Sequence, residues 1–87
     1  MFEIKFTKNA AKNIKNLKGA KLDKIAKRLI DVIREDPFQY PPPYEKLQED
    51  LKGFYSRRIN NKHRLVYEVY EEKKVVIIVS MWTHYEF

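Results

Sequence analysis

No cysteine occurs in this 87-residue chain, which excludes a disulfide framework, a thiolate metal site and a cysteine nucleophile. Glycine is nearly as scarce. The two present, Gly19 and Gly53, lie too far apart to build a phosphate-cradling loop. With no zinc-binding signature either, a chemistry that uses no metal and no cofactor is the simplest expectation. Long apolar runs are also missing. The longest, Val75–Val79, falls far short of the ~20 residues a membrane helix requires. Met1–Phe6 lacks the apolar stretch of a signal peptide, so we expect a soluble, cytoplasmic protein without a membrane partner. Acidic residues are outnumbered, 12 against 18 Lys and Arg, for a net charge of +6.

What is present argues for one folded domain spanning residues 1–87. That length supports a single core, and a hydrophobic content of 44% speaks against disorder. The charge is unevenly laid out. Residues 1–34 carry ten Lys or Arg and three acids, whereas residues 35–51 carry one lysine and five acids. Residues 52–66 then hold five basic residues and no acid. Two basic blocks flanking an acidic connector favour a polyanionic partner bound through phosphate contacts. A lysine-rich solvated surface is the plainer explanation of the same pattern.

Alternation of apolar and charged residues makes Phe2–Phe6 a half-buried strand. Thr7 or Asn9 can cap a helix whose inner face is Ala10, Ala11, Ile14 and Leu17, with Gly19 ending it in a left-handed conformation. A second helix follows from the stripe Leu22, Ile25, Ala26, Leu29, Ile30 and Ile33, and Pro37 stops it. Tyr40–Tyr44, with three consecutive prolines, is a stiff extended strut that holds Glu45. After Gly53 come strand-like stretches at about 54–59, 63–71 and 74–82. The last is apolar on both faces, as in a central strand covered on both sides. The order β-α-α-β-β-β implies an α+β fold, two helices on one face of a small, mainly antiparallel sheet.

Three arginines fall within residues 57–64. A three-residue turn at Asn60–Lys62 would set Arg58 opposite Arg64, an unfavourable pairing unless an anion or carboxylate lies between. A two-residue turn would pair Arg58 with His63 instead. Arg57 is expected to make an ordinary surface salt bridge. Arginine suits a phosphate, because its planar fork donates two bonds and keeps its charge. Cleavage of a phosphodiester by a neighbouring 2′-hydroxyl needs such cations, plus a base and an acid. Glu45 is the candidate base and His84 the candidate acid. His63 competes for the acid's role, but its place in the turn suits a structural hydrogen bond. Tyr55, Tyr67 and Tyr70 are expected to pack or pair across strands. Tyr85 is placed to stack on a base or touch a phosphate.

The run from Glu45 to Tyr67, with Gly-Phe-Tyr-Ser-Arg-Arg-Ile and His-Arg-Leu-Val-Tyr, followed by Thr83-His84-Tyr85, closely resembles the YoeB/Txe toxins of the RelE/ParE toxin–antitoxin superfamily. The resemblance covers nearly the whole chain. It implies a RelE-like fold and a ribosome-dependent endoribonuclease that cuts mRNA in the A site. Residue by residue, it makes Glu45 the general base, Arg64 the phosphate-stabilising arginine, His84 the general acid and Tyr85 a substrate-placing tyrosine. Arg58 becomes a second arginine near the phosphate. Implied partners are ribosomal RNA, which the lysine faces would meet, and a YefM/Phd-type antitoxin; a homodimer stays open. Gln48 departs from the pattern, standing where many relatives carry lysine, and Lys46 is the substitute substrate contact. Tyr55 replaces a frequent tryptophan, and Glu86 and Phe87 extend past the usual terminal tyrosine. Two readings stay open beside this one: a toxin of the same fold acting on DNA gyrase, and a basic RNA-binding module without activity.

Overall fold

The stretch that is apolar at consecutive positions becomes an interior strand, paired on both of its edges. The computed structural model describes residues 1–47 and 53–83. Their elements are β1 (Glu3–Phe6), α1 (Lys8–Gly19), α2 (Asp23–Glu35), β2 (Glu45–Lys46), β3 (Phe54–Arg58), β4 (Arg64–Tyr70) and β5 (Val75–Thr83). Among the described residues the strands form one sheet in the order β1-β5-β4-β3-β2. β1 runs parallel to β5, while the other pairs are antiparallel. The α+β architecture with its helices on one face therefore holds. The strand the sequence did not betray is β2, since two residues are too few for alternation to register.

The core lies between the helices and one face of the sheet. Ala10 and Leu17 of α1 and Ala26, Leu29 and Ile33 of α2 meet Ile59, Leu65, Tyr67, Val76 and Ile78. Each fully buried Leu or Ile contributes roughly 2 kcal/mol. β5 is central as expected, but only one of its faces is fully covered. Val76 and Ile78 are completely buried, whereas Val75, Ile77 and Val79 are half-buried. Both helices precede the three long strands and pack on the same side.

Two side chains lock α1 onto β5. Thr7 is the N-cap: its Oγ1 accepts from the Ala10 N–H at 3.1 Å and donates to the Val79 carbonyl at 2.8 Å. Buried Asn13 accepts the Met81 N–H at 2.9 Å. The inner face of α1 is thus Ala10, Asn13 and Leu17, and Ala11 and Ile14, expected inside, are exposed. Polar Asn13 escaped the apolar pattern because its partner is a backbone group distant in sequence. On α2, Ile25 is likewise exposed.

The left-handed residue that ends α1 is Lys21 (φ 60°), not Gly19. The Lys21 N–H donates to Lys18 and the Leu22 N–H to Leu17, which closes the last turn and sets Leu22 near Leu17. Gly53 does take a positive φ, 92°, where the chain turns into β3, a conformation glycine adopts without steric cost.

Candidate active site

Pro37 ends α2 because it disfavours helical backbone in the residue before it, and the chain leaves along a connector of residues 38–44. That connector is bent at residues 40–42 rather than extended. It is held by Arg57, which is completely buried. The guanidinium donates from Nη1 to the Pro42 carbonyl at 2.6 Å, and from Nη2 to the carbonyls of Pro37 at 3.0 Å and Gln39 at 2.9 Å. Its Nε–H reaches the Tyr67 hydroxyl at 3.1 Å, and that hydroxyl donates onward to the Pro37 carbonyl at 2.8 Å. Tyr44 lays its ring 5.1 Å from the guanidinium carbon. Among the described residues Arg57 therefore makes no salt bridge, contrary to expectation. Carbonyl dipoles and an aromatic ring satisfy the buried charge instead of a carboxylate.

Beyond this anchor the chain forms β2, where Glu45 pairs with Ser56 and Lys46 with Tyr55. Strand alternation sends Glu45 and Lys46 to opposite faces. Across the next pair, Tyr55 sits opposite Tyr67, Ser56 opposite Val66 and Arg58 opposite Arg64. The register follows from the three-residue turn at Asn60–Lys62. Asn60 shapes it, with Oδ1 accepting the N–H groups of Lys62 at 2.9 Å and His63 at 2.7 Å. The Ile59 N–H closes the turn on the His63 carbonyl.

The result is an open cleft of about 480 Å³ lined by Pro42, Pro43, Tyr44, Glu45, Ser56, Arg58, Ile59, Asn60 and Arg64. One carboxylate and two guanidinium groups face the same space. Among the described residues, none of the three forms an ion pair within 4 Å. Cations placed directly opposite one another, without an internal counter-ion, make a receptor for an anion. Lys46 is exposed at the sheet edge and outside the cleft lining.

His63 does not face the cleft. Its ring stacks on Trp82 with centroids 3.8 Å apart, and its buried Nδ1 has no hydrogen-bond partner among the described residues. The bonds that shape the turn come from the His63 backbone instead. β4 and β5 pair as far as Arg64 opposite Thr83, so β5 ends beside the cleft arginine. Gln48, His84, Tyr85, Glu86 and Phe87 lie outside the described residues. Tyr55 and Tyr67 pack together with ring centroids 5.8 Å apart, and Phe38 and Tyr44 extend this cluster to the cleft wall. Burial pushes the Tyr67 phenol up to about 12, against the opposing pull of Arg57. Among the described residues, no cluster of three His, Cys, Asp or Glu could hold a metal ion.

Arg57 and Tyr44 are the residues that sequence reasoning missed here. Tyr44 carried a signal, an aromatic directly before the candidate base; Arg57 carried none that distinguished it from Arg58.

Residues 6–85 match a family described as the YoeB-like toxin of bacterial type II toxin–antitoxin systems. The Synechocystis sp. protein Toxin YoeB is 41% identical over 66 residues, 76% of this chain and 74% of its own length. A YoeB–YefM complex from Staphylococcus aureus aligns with a TM-score of 0.80 and 33% identity, covering 98% of this chain and 99% of that one. The structure of a YoeB dimer from the same organism aligns with a TM-score of 0.82, at 33% identity and 97% and 98% coverage.

Proposed function

We propose a specific activity for this chain, which belongs to the YoeB-like toxins of bacterial type II toxin–antitoxin systems: it is an endoribonuclease that cuts mRNA in the ribosomal A site and needs no metal. One observation carries the reading. The cleft collects the Glu45 carboxylate and the Arg58 and Arg64 guanidinium groups around a space open to a nucleotide.

In this mechanism Glu45 takes the proton from the 2′-hydroxyl, and the freed oxygen attacks the adjacent phosphorus. Negative charge grows on the non-bridging oxygens, and Arg64, with Arg58 beside it, stabilises that charge with fixed donors. The bond from phosphorus to the 5′-oxygen breaks. His84, which follows Thr83 in sequence, gives that oxygen its proton, and Tyr85 places the substrate. The products are a 2′,3′-cyclic phosphate and a 5′-hydroxyl, so every proton and electron pair is accounted for. Gln48 is the remaining substrate contact near the phosphate. Lys46, on the face away from the cleft, can meet only RNA that runs past the sheet edge, and the lysine-rich outer faces of α1 and α2 meet ribosomal RNA.

The Staphylococcus complex and dimer support two further assignments for this chain: a YefM-type antitoxin as its inhibitor, and self-association. The chain acts in the cytoplasm, where ribosomes are; among the described residues no helix is long and apolar enough to cross a membrane.

The test is expression of wild type, Glu45→Gln, Arg64→Ala and His84→Ala with mapping of mRNA ends. Wild type arrests growth and leaves cyclic phosphate ends on ribosome-bound message; each variant folds but lowers cleavage at least about 100-fold. Growth arrest that survives Arg64→Ala and His84→Ala overturns the mechanism. Inhibition of DNA supercoiling with intact mRNA, or salt-sensitive RNA binding indifferent to His84, replaces it.

A further inference from the structure

We propose that Arg57 is a positioning residue for Glu45, acting through the connector that delivers the carboxylate to the cleft. The inference rests on the catalytic reading above and adds a residue which that reading does not use.

β2 contains two residues, so its ladder to β3 is a weak hold on a side chain that must meet a proton within a fraction of an ångström. The guanidinium of Arg57 supplies the missing hold. It grips the connector at Pro37, Gln39 and Pro42, three carbonyls within six residues. Three residues after the last grip comes Glu45. Between them, Tyr44 rests on the same guanidinium and forms part of the cleft wall. Tyr67 completes the clamp from β4 by bridging Nε to the Pro37 carbonyl.

The choice of a buried cation points the same way. Desolvating a charge is costly, and apolar residues of similar volume often hold a core equally well or better. What they cannot do is aim four hydrogen bonds in one plane. Arginine's rigid fork can, whereas lysine presents its donors from a single atom.

Single-turnover cleavage of ribosome-bound mRNA by the full-length chain tests this, with Arg57→Lys, Glu45→Gln and their combination. We expect Arg57→Lys to lower the rate at saturating toxin about 100-fold and shift the half-saturating concentration by less than about threefold. Amide exchange should accelerate across residues 38–46 and stay unchanged in α1 and β5. In the Glu45→Gln background, Arg57→Lys should cost nothing further, because the group it positions is gone. An equal loss in both backgrounds, or an unchanged rate per folded molecule, overturns the proposal and leaves Arg57 a stabilising residue only. If Glu45→Gln itself cleaves at the wild-type rate, the base assignment fails first and takes this inference with it. Should Arg57→Lys not fold, Tyr67→Phe removes one arm of the clamp and carries the same test, with a smaller loss in the same direction.

Discussion

Arg57 and Arg58 are neighbours with the same side chain and opposite fates. Arg57 is completely buried and spends its donors on the Pro37, Gln39 and Pro42 carbonyls and the Tyr67 hydroxyl. Arg58 is exposed, lines the cleft opposite Arg64 and has no ion-pair partner among the described residues. The first charge is already satisfied and serves as a fastener. The second finds no counter-ion among the described residues and can be completed by an anion from outside. Charge in the sequence therefore reports neither stability nor binding until its acceptors are known.

The largest expected effect separates the two positions directly. Arg57→Met strands the Gln39 and Pro42 carbonyls, leaves the Pro37 carbonyl and Tyr67 hydroxyl only each other, and should cost about 3 kcal/mol, a large share of the stability of a domain this size. Urea denaturation measures it, and a loss below about 1 kcal/mol would show that water replaces the clamp. An intermediate effect comes from pH. The unfolded chain ionises Tyr67 near pH 10, but the folded chain holds the proton to about pH 12. Stability is thus unaffected below pH 10 and falls as pH rises from 10 to 12, by about 2 kcal/mol. Tyr67→Phe should remove most of that slope. The exposed Tyr70 is also raised, chiefly by its hydrogen bond to Glu68, and adds at most a weaker drift of the same sign. Smallest is the effect of Arg58→Met on stability, within about 0.5 kcal/mol, even as cleavage falls. A melting temperature that drops as far as that of Arg57→Met would mean the cleft arginine is structural after all.

Much of the fold was legible because it rests on local patterns. Alternation marked β1, helical spacing marked α2, and the structure adopts the three-residue one of the two turns the sequence allowed, with Arg58 across from Arg64. Less legible were features whose cause lies far along the chain. Asn13 is buried because Met81, 68 positions away, offers it an N–H. β2 exists because the clamped connector brings Glu45 alongside Ser56. The left-handed turn settled on Lys21 rather than the nearby glycine because the bond from Leu22 to Leu17 closes there. For the candidate site, Glu45, Arg58 and Arg64 could be singled out as residue types suited to a phosphodiester. Their sharing of one cleft could not.

Local patterns alone placed both helices and all the strands but β2, offered two registers for the basic hairpin, and sent Arg57 and Arg58 to opposite faces. A period of two guarantees that separation. Only the tertiary structure decided which of them goes inward. The connector that follows α2 covers one face of β3, and whichever arginine falls on that face must find acceptors or not be buried at all. The connector after Pro37 supplies them from residues outside the strand, and no pattern within it could announce that.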